Sequence, residues 1–154
     1  MEEIEMKELQ VLIADDSEFM RIAYKRILES QSNMRVAAMG ENGEEAIWIA
    51  DDIKPNLAIL DVWMPKMDGI QAAHAIRERH PGTAIIVISP YDDLTFVADL
   101  MRNGVEQKAY LLKHSNSDVT SLVSIVEAVS QGHTVLDSGI AQNWPGCTAN
   151  TQTR

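Results

Sequence analysis

The sequence predicts an α/β fold in which five parallel strands form one doubly wound sheet. Short apolar runs alternate along the chain with amphipathic segments of about 10 residues, which is the pattern of strands followed by helices. Four of the apolar runs end on Asp, Ser or Lys side chains. Strands joined by helices pair in parallel through right-handed crossovers, and the helices then cover both faces of the sheet.

The first part of the chain predicts two strand–helix pairs. The apolar run Leu9–Ala14 predicts a buried strand. Apolar residues then recur near a 3.6-residue period, which predicts a helix over Ser17–Ser30. A short strand follows at Arg35–Met39, and Glu44–Asp51 is predicted to be a second helix that stops before Pro55.

The middle of the chain predicts two further pairs. Leu57–Leu60 is a continuous apolar run and predicts the third strand, and Ile70–Arg79 predicts the third helix, which a Pro-Gly turn ends. Ala84–Ile88 predicts the fourth strand by the same argument. Asp92–Arg102 predicts the fourth helix, with Asn-Gly after it as a C-terminal stop signal.

The last strand–helix pair sets the predicted domain boundaries. Lys108–Leu112 predicts the fifth strand, and Asp118–Gln131 predicts the fifth helix. We therefore expect one domain over residues 9–131, preceded by an acidic extension over residues 1–8. Residues 132–154 are expected to be a linker or tail with a short extended piece near its start and a mobile end.

Composition limits the classes of function. The chain has 154 residues, which suits one domain, and its formal net charge of -10 argues against direct nucleic-acid binding. No apolar run approaches the roughly 20 residues that span a bilayer. The start of the chain lacks the basic and apolar regions of a secretory signal, and a lone cysteine suits a reducing compartment. We expect a cytoplasmic protein without a membrane segment.

Polar side chains follow four of the predicted strands at their carboxyl ends. They are Asp15 and Asp16 after the first strand, Asp61 after the third, Ser89 after the fourth and Lys113 after the fifth. In open α/β sheets this edge is where ligands bind. Three carboxylates, a hydroxyl and an ammonium can together hold a divalent cation and receive a phosphoryl group.

The same residues carry a resemblance to a known family. The acidic pair before Ser17, the run from Asp61 to Gly69 (DVWMPKMDG), Ser89, and the run from Tyr110 to Lys113 (YLLK) resemble the receiver domain of two-component response regulators. The resemblance covers about residues 9–131. The segment after the fifth helix is similar to the receiver-to-output junction in the branch that carries a helix-turn-helix domain. We expect no output domain within these residues, so the chain would be either a single-domain receiver or a receiver cut from a longer regulator. The fold implied is flavodoxin-like.

The resemblance implies a phosphoacceptor and a magnesium site. Asp61 would take a phosphoryl group from the phosphohistidine of a histidine kinase. Asp16 and Asp61 would bind Mg2+ directly, together with the backbone carbonyl of Trp63, and Asp15 would act through water. Three clustered carboxylates repel one another, and a dication reverses the sign of that interaction.

The resemblance also implies a switch. Lys113 would supply a positive charge to a phosphoryl oxygen, and Ser89 would donate its hydroxyl to another. Movement of Ser89 would draw Tyr110 inward and reshape the face formed by helix four, strand five and helix five. That face would contain Phe96 and Met101, and a phosphorylation-dependent homodimer could form through it.

Two residues depart from the family pattern. Many receivers have a proline after the conserved lysine, and here His114 follows Lys113. The residue after the hydroxyl of the fourth strand usually donates its backbone N–H to the phosphoryl group, and here it is Pro90, which has none.

Other interpretations stay open at this stage. Asp16 or Ser17 could simply cap the first helix, the pair Asp15 and Asp16 could be purely structural, and Phe19 and Trp48 are expected to be packing residues. A magnesium-dependent phosphatase with an aspartate nucleophile is an alternative function. Trp63 occupies the position where such enzymes have a second acid, which argues against it. A non-catalytic flavodoxin-like binding module is a third possibility, although no Gly-rich phosphate loop follows the first strand.

Overall fold

The computed structural model describes residues 8–113 and 119–141, and within them a parallel sheet lies between two layers of helices. The strand order is β2-β1-β3-β4-β5-β6, and every neighbouring pair is parallel. The flavodoxin-like α/β prediction is confirmed. The predicted number of strands is wrong by one, because a sixth strand pairs with the free edge of β5.

The elements follow the predicted order closely. The strands are β1 Leu9–Ala14, β2 Met34–Gly40, β3 Leu57–Asp61, β4 Ala84–Ser89, β5 Lys108–Leu112 and β6 Val135–Leu136. The helices are α1 Glu18–Glu29, α2 Gly43–Ile53, α3 Gly69–Arg79, α4 Leu94–Met101, α5 Val119–Ser130 and the short α6 Ser138–Ala141. The predicted α1 begins one residue too early and the predicted α4 two residues too early, because the N-caps Ser17 and Asp93 have extended backbone. The helices α2 and α3 each begin one residue earlier than predicted.

Two apolar clusters hold the helices to the sheet, one on each face. The cluster beneath α1 and α5 includes Leu28 and Val126, and the cluster on the opposite face includes Ala50, Ile76 and Leu100 from α2, α3 and α4. Residues of β1, β3, β4 and β5 alternate between the two clusters. Burial on both faces explains why these strands are apolar throughout.

A buried lysine fixes α4 against β5. Lys108 lies in β5, and its ammonium donates a hydrogen bond of 2.7 Å to the carbonyl oxygen of Leu100 in the last turn of α4. Burial lowers the pKa of this ammonium. A positive charge at the C-terminal end of a helix is favourable, because the carbonyl groups there carry partial negative charge.

The start of the predicted C-terminal linker packs on the domain. The Asp137 backbone N–H donates to the carbonyl oxygen of Tyr110 at 3.0 Å, and the Asp137 carboxylate accepts from the Leu112 N–H at 3.3 Å. Ile140 is fully buried in the cluster that includes α4. The segment 135–141 therefore covers the edge of β5. The end of the chain, which was expected to be mobile, lies outside the described residues.

Two aromatic residues do not occupy the positions expected from the sequence. Phe19 in α1 is 77% exposed and Trp48 in α2 is 65% exposed, so the prediction that they pack in the core is wrong. Successive helical residues are rotated by about 100°. Phe19 is five positions before the buried Tyr24, and Trp48 is two positions from the buried Ala50. Neither spacing puts two side chains on the same face of a helix, so both rings point away from the sheet.

Within the described residues, the helices lack the combination of length and apolar character that crossing a bilayer requires.

Candidate phosphoacceptor site

Three carboxylates meet where the strand order reverses. β1 pairs with both β2 and β3, so the carboxyl ends of β1 and β3 lie side by side at the switch point of the sheet. Asp15 and Asp16 follow β1, and Asp61 is the last residue of β3. One carboxylate oxygen from each of them lies within 4.8 Å of the others. Asp15 and Asp61 are buried, whereas Asp16 is exposed.

Local hydrogen bonds hold Asp15 in place. Its Oδ1 accepts from the backbone N–H of Ser17 at 2.9 Å, and its own N–H donates to the carbonyl oxygen of Gly40 in β2 at 3.1 Å. The Arg21 guanidinium donates to the Asp15 carbonyl oxygen at 2.8 Å. Ser17 caps α1 itself, with its Oγ accepting from Met20. Asp15 is thus not the helix cap, and its Oδ2 faces the site.

Close backbone packing fixes the loop that carries Asp61. The N–H of Val62 donates to the Ile88 carbonyl oxygen in β4 at 3.1 Å, and the N–H of Gly69 donates back to the Val62 carbonyl oxygen at 3.0 Å. A Cβ at position 69 would overlap the carbonyl oxygen of Asp61. Glycine at this position therefore permits the start of α3 to approach the end of β3.

Lys113 brings a positive charge to the two buried carboxylates. Its Nζ lies 3.3 Å from Asp61 Oδ1 and 3.6 Å from Asp15 Oδ2. Its backbone N–H donates to the Ser89 carbonyl oxygen at 2.8 Å, which ties the end of β5 to the end of β4. Apart from this ion pairing with Lys113, the same two carboxylate oxygens are buried and have no hydrogen-bond donor among the described residues.

Burial and the neighbouring carboxylates make Asp61 harder to ionise. Burial and the neighbouring charge of Asp15 raise the pKa of Asp61 to about 6, although the Lys113 ammonium works in the opposite direction. One lysine does not neutralise three carboxylates. The chemistry of the donor set, oxygen ligands only with unsatisfied buried members, fits a hard divalent cation such as Mg2+.

A chain of hydrogen bonds connects Ser89 to Tyr110 through the backbone of Tyr91, a link that the sequence did not predict. The Tyr91 N–H donates to Ser89 Oγ at 3.0 Å, and the Tyr110 hydroxyl donates to the Tyr91 carbonyl oxygen at 3.0 Å. Ser89 and Tyr110 are fully buried. The expected inward movement of Tyr110 does not apply to this structure, because its ring is already inside.

Pro90 and Trp63 lie in the loops that flank the site. Pro90 is partly buried between Ser89 and Tyr91. The Trp63 side chain is 58% exposed, and its ring packs edge-on to the Tyr91 ring with centroids 6.1 Å apart. The two rings belong to residues that lie two positions after Asp61 and two positions after Ser89 along the chain.

Comparison with known proteins decides the family. The model of the response regulator receiver domain matches residues 11–129. The chain belongs to this family. It is 30% identical over 142 residues to the transcriptional regulatory protein DegU of Brevibacillus brevis, covering 92% of the chain and 58% of that protein. It is 36% identical over 110 residues to the chemotaxis protein CheY of Listeria monocytogenes, covering 71% of the chain and 90% of that protein.

Solved receiver structures have the same fold. The receiver domain of the response regulator NarL from Mycobacterium tuberculosis superposes with a TM-score of 0.75 at 28% identity, covering 82% of this chain and 99% of that one. The CheX–CheY complex from Borrelia burgdorferi, solved with BeF3- and Mg2+, gives a TM-score of 0.70 at 26% identity, covering 80% and 90%. Receiver domains are regulatory modules that bind Mg2+ in an acidic pocket, and Asp15, Asp16 and Asp61 form such a cluster.

Proposed function

We propose that this chain is a phosphorylation switch in which Asp61 accepts a phosphoryl group from the phosphohistidine of a histidine kinase. One observation carries the proposal: Asp61 is buried among two other carboxylates and one ammonium, with an oxygen that accepts no hydrogen bond from the described residues. In the transfer, an Asp61 carboxylate oxygen forms a bond to phosphorus while the bond from phosphorus to the imidazole nitrogen breaks. The imidazole leaves and takes up a proton from solvent.

The proposed metal ligands are the residues that the resemblance implied. Asp16 and Asp61 would hold Mg2+ directly with the backbone carbonyl of Trp63, and Asp15 would act through water. The ion supplies positive charge against the phosphoryl oxygens. Asp15 is held by the Ser17 N–H and so keeps a fixed orientation, whereas the exposed Asp16 can adjust to the ion.

Lys113 and Ser89 are proposed to bind the phosphoryl oxygens. The Lys113 ammonium faces Asp61 Oδ1 at 3.3 Å and can move to a new oxygen, because it is a point charge on a flexible stem. Ser89 would turn its hydroxyl toward the phosphoryl group. Its Oγ now accepts from the Tyr91 N–H, so that movement would alter the Ser89–Tyr91–Tyr110 chain of hydrogen bonds. We propose this rearrangement as the switch.

We also propose a phosphorylation-dependent homodimer, but the surface that would form it differs from the one expected from the sequence. The expected face of α4, β5 and α5 now includes β6, because β6 pairs with the edge of β5. Met101 is buried and cannot contribute to that face, contrary to the expectation from sequence, whereas Phe96 is only partly buried. The chain spans 58% of the length of DegU and 59% of the length of YdfI of Bacillus subtilis. Any activity of those whole proteins would have to be tested separately for this chain.

Treatment with acetyl phosphate and Mg2+, followed by intact mass measurement, tests the proposal. We expect the wild-type protein to gain one phosphoryl group, and the gain to vanish in Asp61→Asn and to slow in Asp16→Asn. Asp52→Asn is the matched control, since Asp52 is an exposed carboxylate on α2 outside the cluster. Undiminished labelling of Asp61→Asn would reject the assignment. Steady release of inorganic phosphate with many turnovers per protein would favour the phosphatase alternative.

A further inference from the structure

An aromatic and acidic groove is formed by the loops that follow β3 and β4 and by the start of α4. It is an open depression of about 560 Å³ lined by Trp63, Tyr91, Asp92, Asp93 and Phe96. The Tyr91 ring contacts both other rings, with centroids 6.1 Å from Trp63 and 6.4 Å from Phe96. The three rings therefore form one continuous surface at the N-terminal end of α4.

The rings expose more apolar surface than packing requires. Trp63 is 58% exposed and Tyr91 is 47% exposed, and they come from two different loops. Isolated exposed aromatic residues are ordinary, but a contiguous patch beside a functional pocket is typical of a binding surface. Trp and Tyr are also the residues that contribute most to binding energy in interfaces.

The charges at the groove select the partner. Asp92 is exposed, and Asp93 uses its Oδ1 to cap α4 through the Thr95 N–H at 2.8 Å. Each carboxylate keeps acceptor capacity toward the groove rim. Aromatic faces attract cations, and carboxylates pair with them. A guanidinium meets both demands, because its plane stacks on a ring while its N–H groups bond a carboxylate.

We propose that this groove, lined by Trp63, Tyr91, Phe96, Asp92 and Asp93, is a docking site for a partner segment that presents an arginine side chain. The arginine stacks on the rings and pairs with the Asp92 carboxylate, while neighbouring residues of the segment cover the remaining apolar surface. An anionic or purely apolar partner does not fit, because two carboxylates stand at the rim.

The groove is joined to the proposed switch through Tyr91. Its N–H donates to Ser89 Oγ and its carbonyl accepts from Tyr110, so one wall of the groove is anchored on both residues. A phosphoryl group on Asp61 adds one negative charge relative to the free carboxylate. Added negative charge beside the groove raises its affinity for a cation. This coupling rests on the proposed function, whereas the docking site itself does not.

A short peptide tests the docking site in the unphosphorylated protein without Mg2+. The probe is acetyl-Gly-Arg-Gly-amide, and its matched control is the same peptide with citrulline, which keeps the shape and loses the charge. The readout is the indole N–H resonance of Trp63 in an 1H–15N spectrum, identified by its loss in Trp63→Phe. We expect a saturable shift with the arginine peptide that the citrulline peptide does not produce.

Paired variants separate the groove from the general acidity of the chain. Asp92→Asn and Phe96→Leu should each lower the affinity about two- to fivefold, as expected for an exposed ion pair or cation–π contact. Asp52→Asn and Trp48→Leu change an exposed carboxylate and an exposed ring on α2 and should leave the affinity unchanged. Equal losses in both pairs, or equal binding of the citrulline peptide, would overturn the docking site.

The coupling is tested by repeating the titration with Mg2+ alone and with Mg2+ and beryllofluoride. The mimic should raise the affinity for the arginine peptide about twofold or more. An unchanged affinity in protein that has bound the mimic would overturn the coupling and leave the docking site intact. Protein that does not bind the mimic at all would instead contradict the proposed function.

Discussion

Removing the charge of Asp61 should stabilise the protein when no divalent cation is bound. Asp61 is only 4% exposed, and burial together with Asp15 raises the pKa of Asp61 from 3.8 to about 6. The carboxyl group holds its proton more tightly in the folded protein than in the unfolded chain. Asn has nearly the same shape without the charge. Asp61→Asn therefore imitates the protonated carboxyl group at every pH.

The sign and size of the effect follow from that difference in pKa. Below about pH 4 the carboxyl group is protonated in both states, and wild type and variant should be equally stable. As pH rises toward 6, the unfolded chain releases the proton first, and the wild-type protein loses stability. Above the folded pKa the loss is complete, and it amounts to about 3 kcal/mol at 1.36 kcal/mol per unit.

Urea unfolding at several pH values, in the presence of a chelator, measures this effect. We expect Asp61→Asn to have a free energy of unfolding about 2–3 kcal/mol above wild type near pH 7.5, and the gap to close toward pH 4. Asp52→Asn should show no such gap. Adding Mg2+ should stabilise wild type more than Asp61→Asn. A variant that is no more stable than wild type near pH 7.5 would refute the claim that the surroundings of Asp61 destabilise its ionised carboxylate.

Four further changes test other parts of the structure. Pro90→Ala restores a backbone N–H donor whose hydrogen bond to the phosphoryl mimic is worth at most about 1.5–3 kcal/mol. Beryllofluoride should therefore bind the variant more tightly in a titration. An unchanged affinity would show that the missing N–H is unimportant. Trp63→Ala should speed loss of the phosphoryl group, measured by intact mass, because we expect a ring two residues after Asp61 to shield the acyl phosphate from water. An unchanged decay rate would argue against this shielding. Gly69→Ala should cost about 1–3 kcal/mol in urea unfolding by displacing the Asp61 carbonyl, and full stability would be inconsistent with the close packing. Ile140→Ala should cost about 2 kcal/mol or more by the same measurement, whereas no loss would mean that α6 contributes nothing to the domain.

The strands β1, β3, β4 and β5 were predictable because each is buried on both faces and therefore mostly apolar. β6 was not predictable as a strand of the sheet, since two residues are too few to produce a periodic signal. Its position depends on pairing with β5 and on the bond between the Asp137 N–H and the Tyr110 carbonyl. The error at Phe19 has a different cause. Periodicity predicts which face of a helix is buried, but it does not define the width of that face or the position along the helix where burial begins.

The carboxylate cluster was predictable for a topological reason. Parallel strands bring their carboxyl ends to one edge, so Asp15, Asp61 and Lys113 had to lie near one another once the strands were assigned. Tyr91 was missed as a link between Ser89 and Tyr110 because it acts through its backbone N–H and carbonyl, which every residue but proline possesses. Backbone contacts of this kind carry no signature in the residue type.

The central claim is that Asp61 becomes an acyl phosphate, and the most direct test is to locate that group chemically. Borohydride reduces an acyl phosphate to an alcohol, which converts the aspartate into homoserine. Protein treated with acetyl phosphate and Mg2+, reduced and then digested, should contain homoserine at position 61, and protein treated without Mg2+ should contain little. Homoserine at any other aspartate, or its absence from position 61 in protein that has gained a phosphoryl group, would contradict the account.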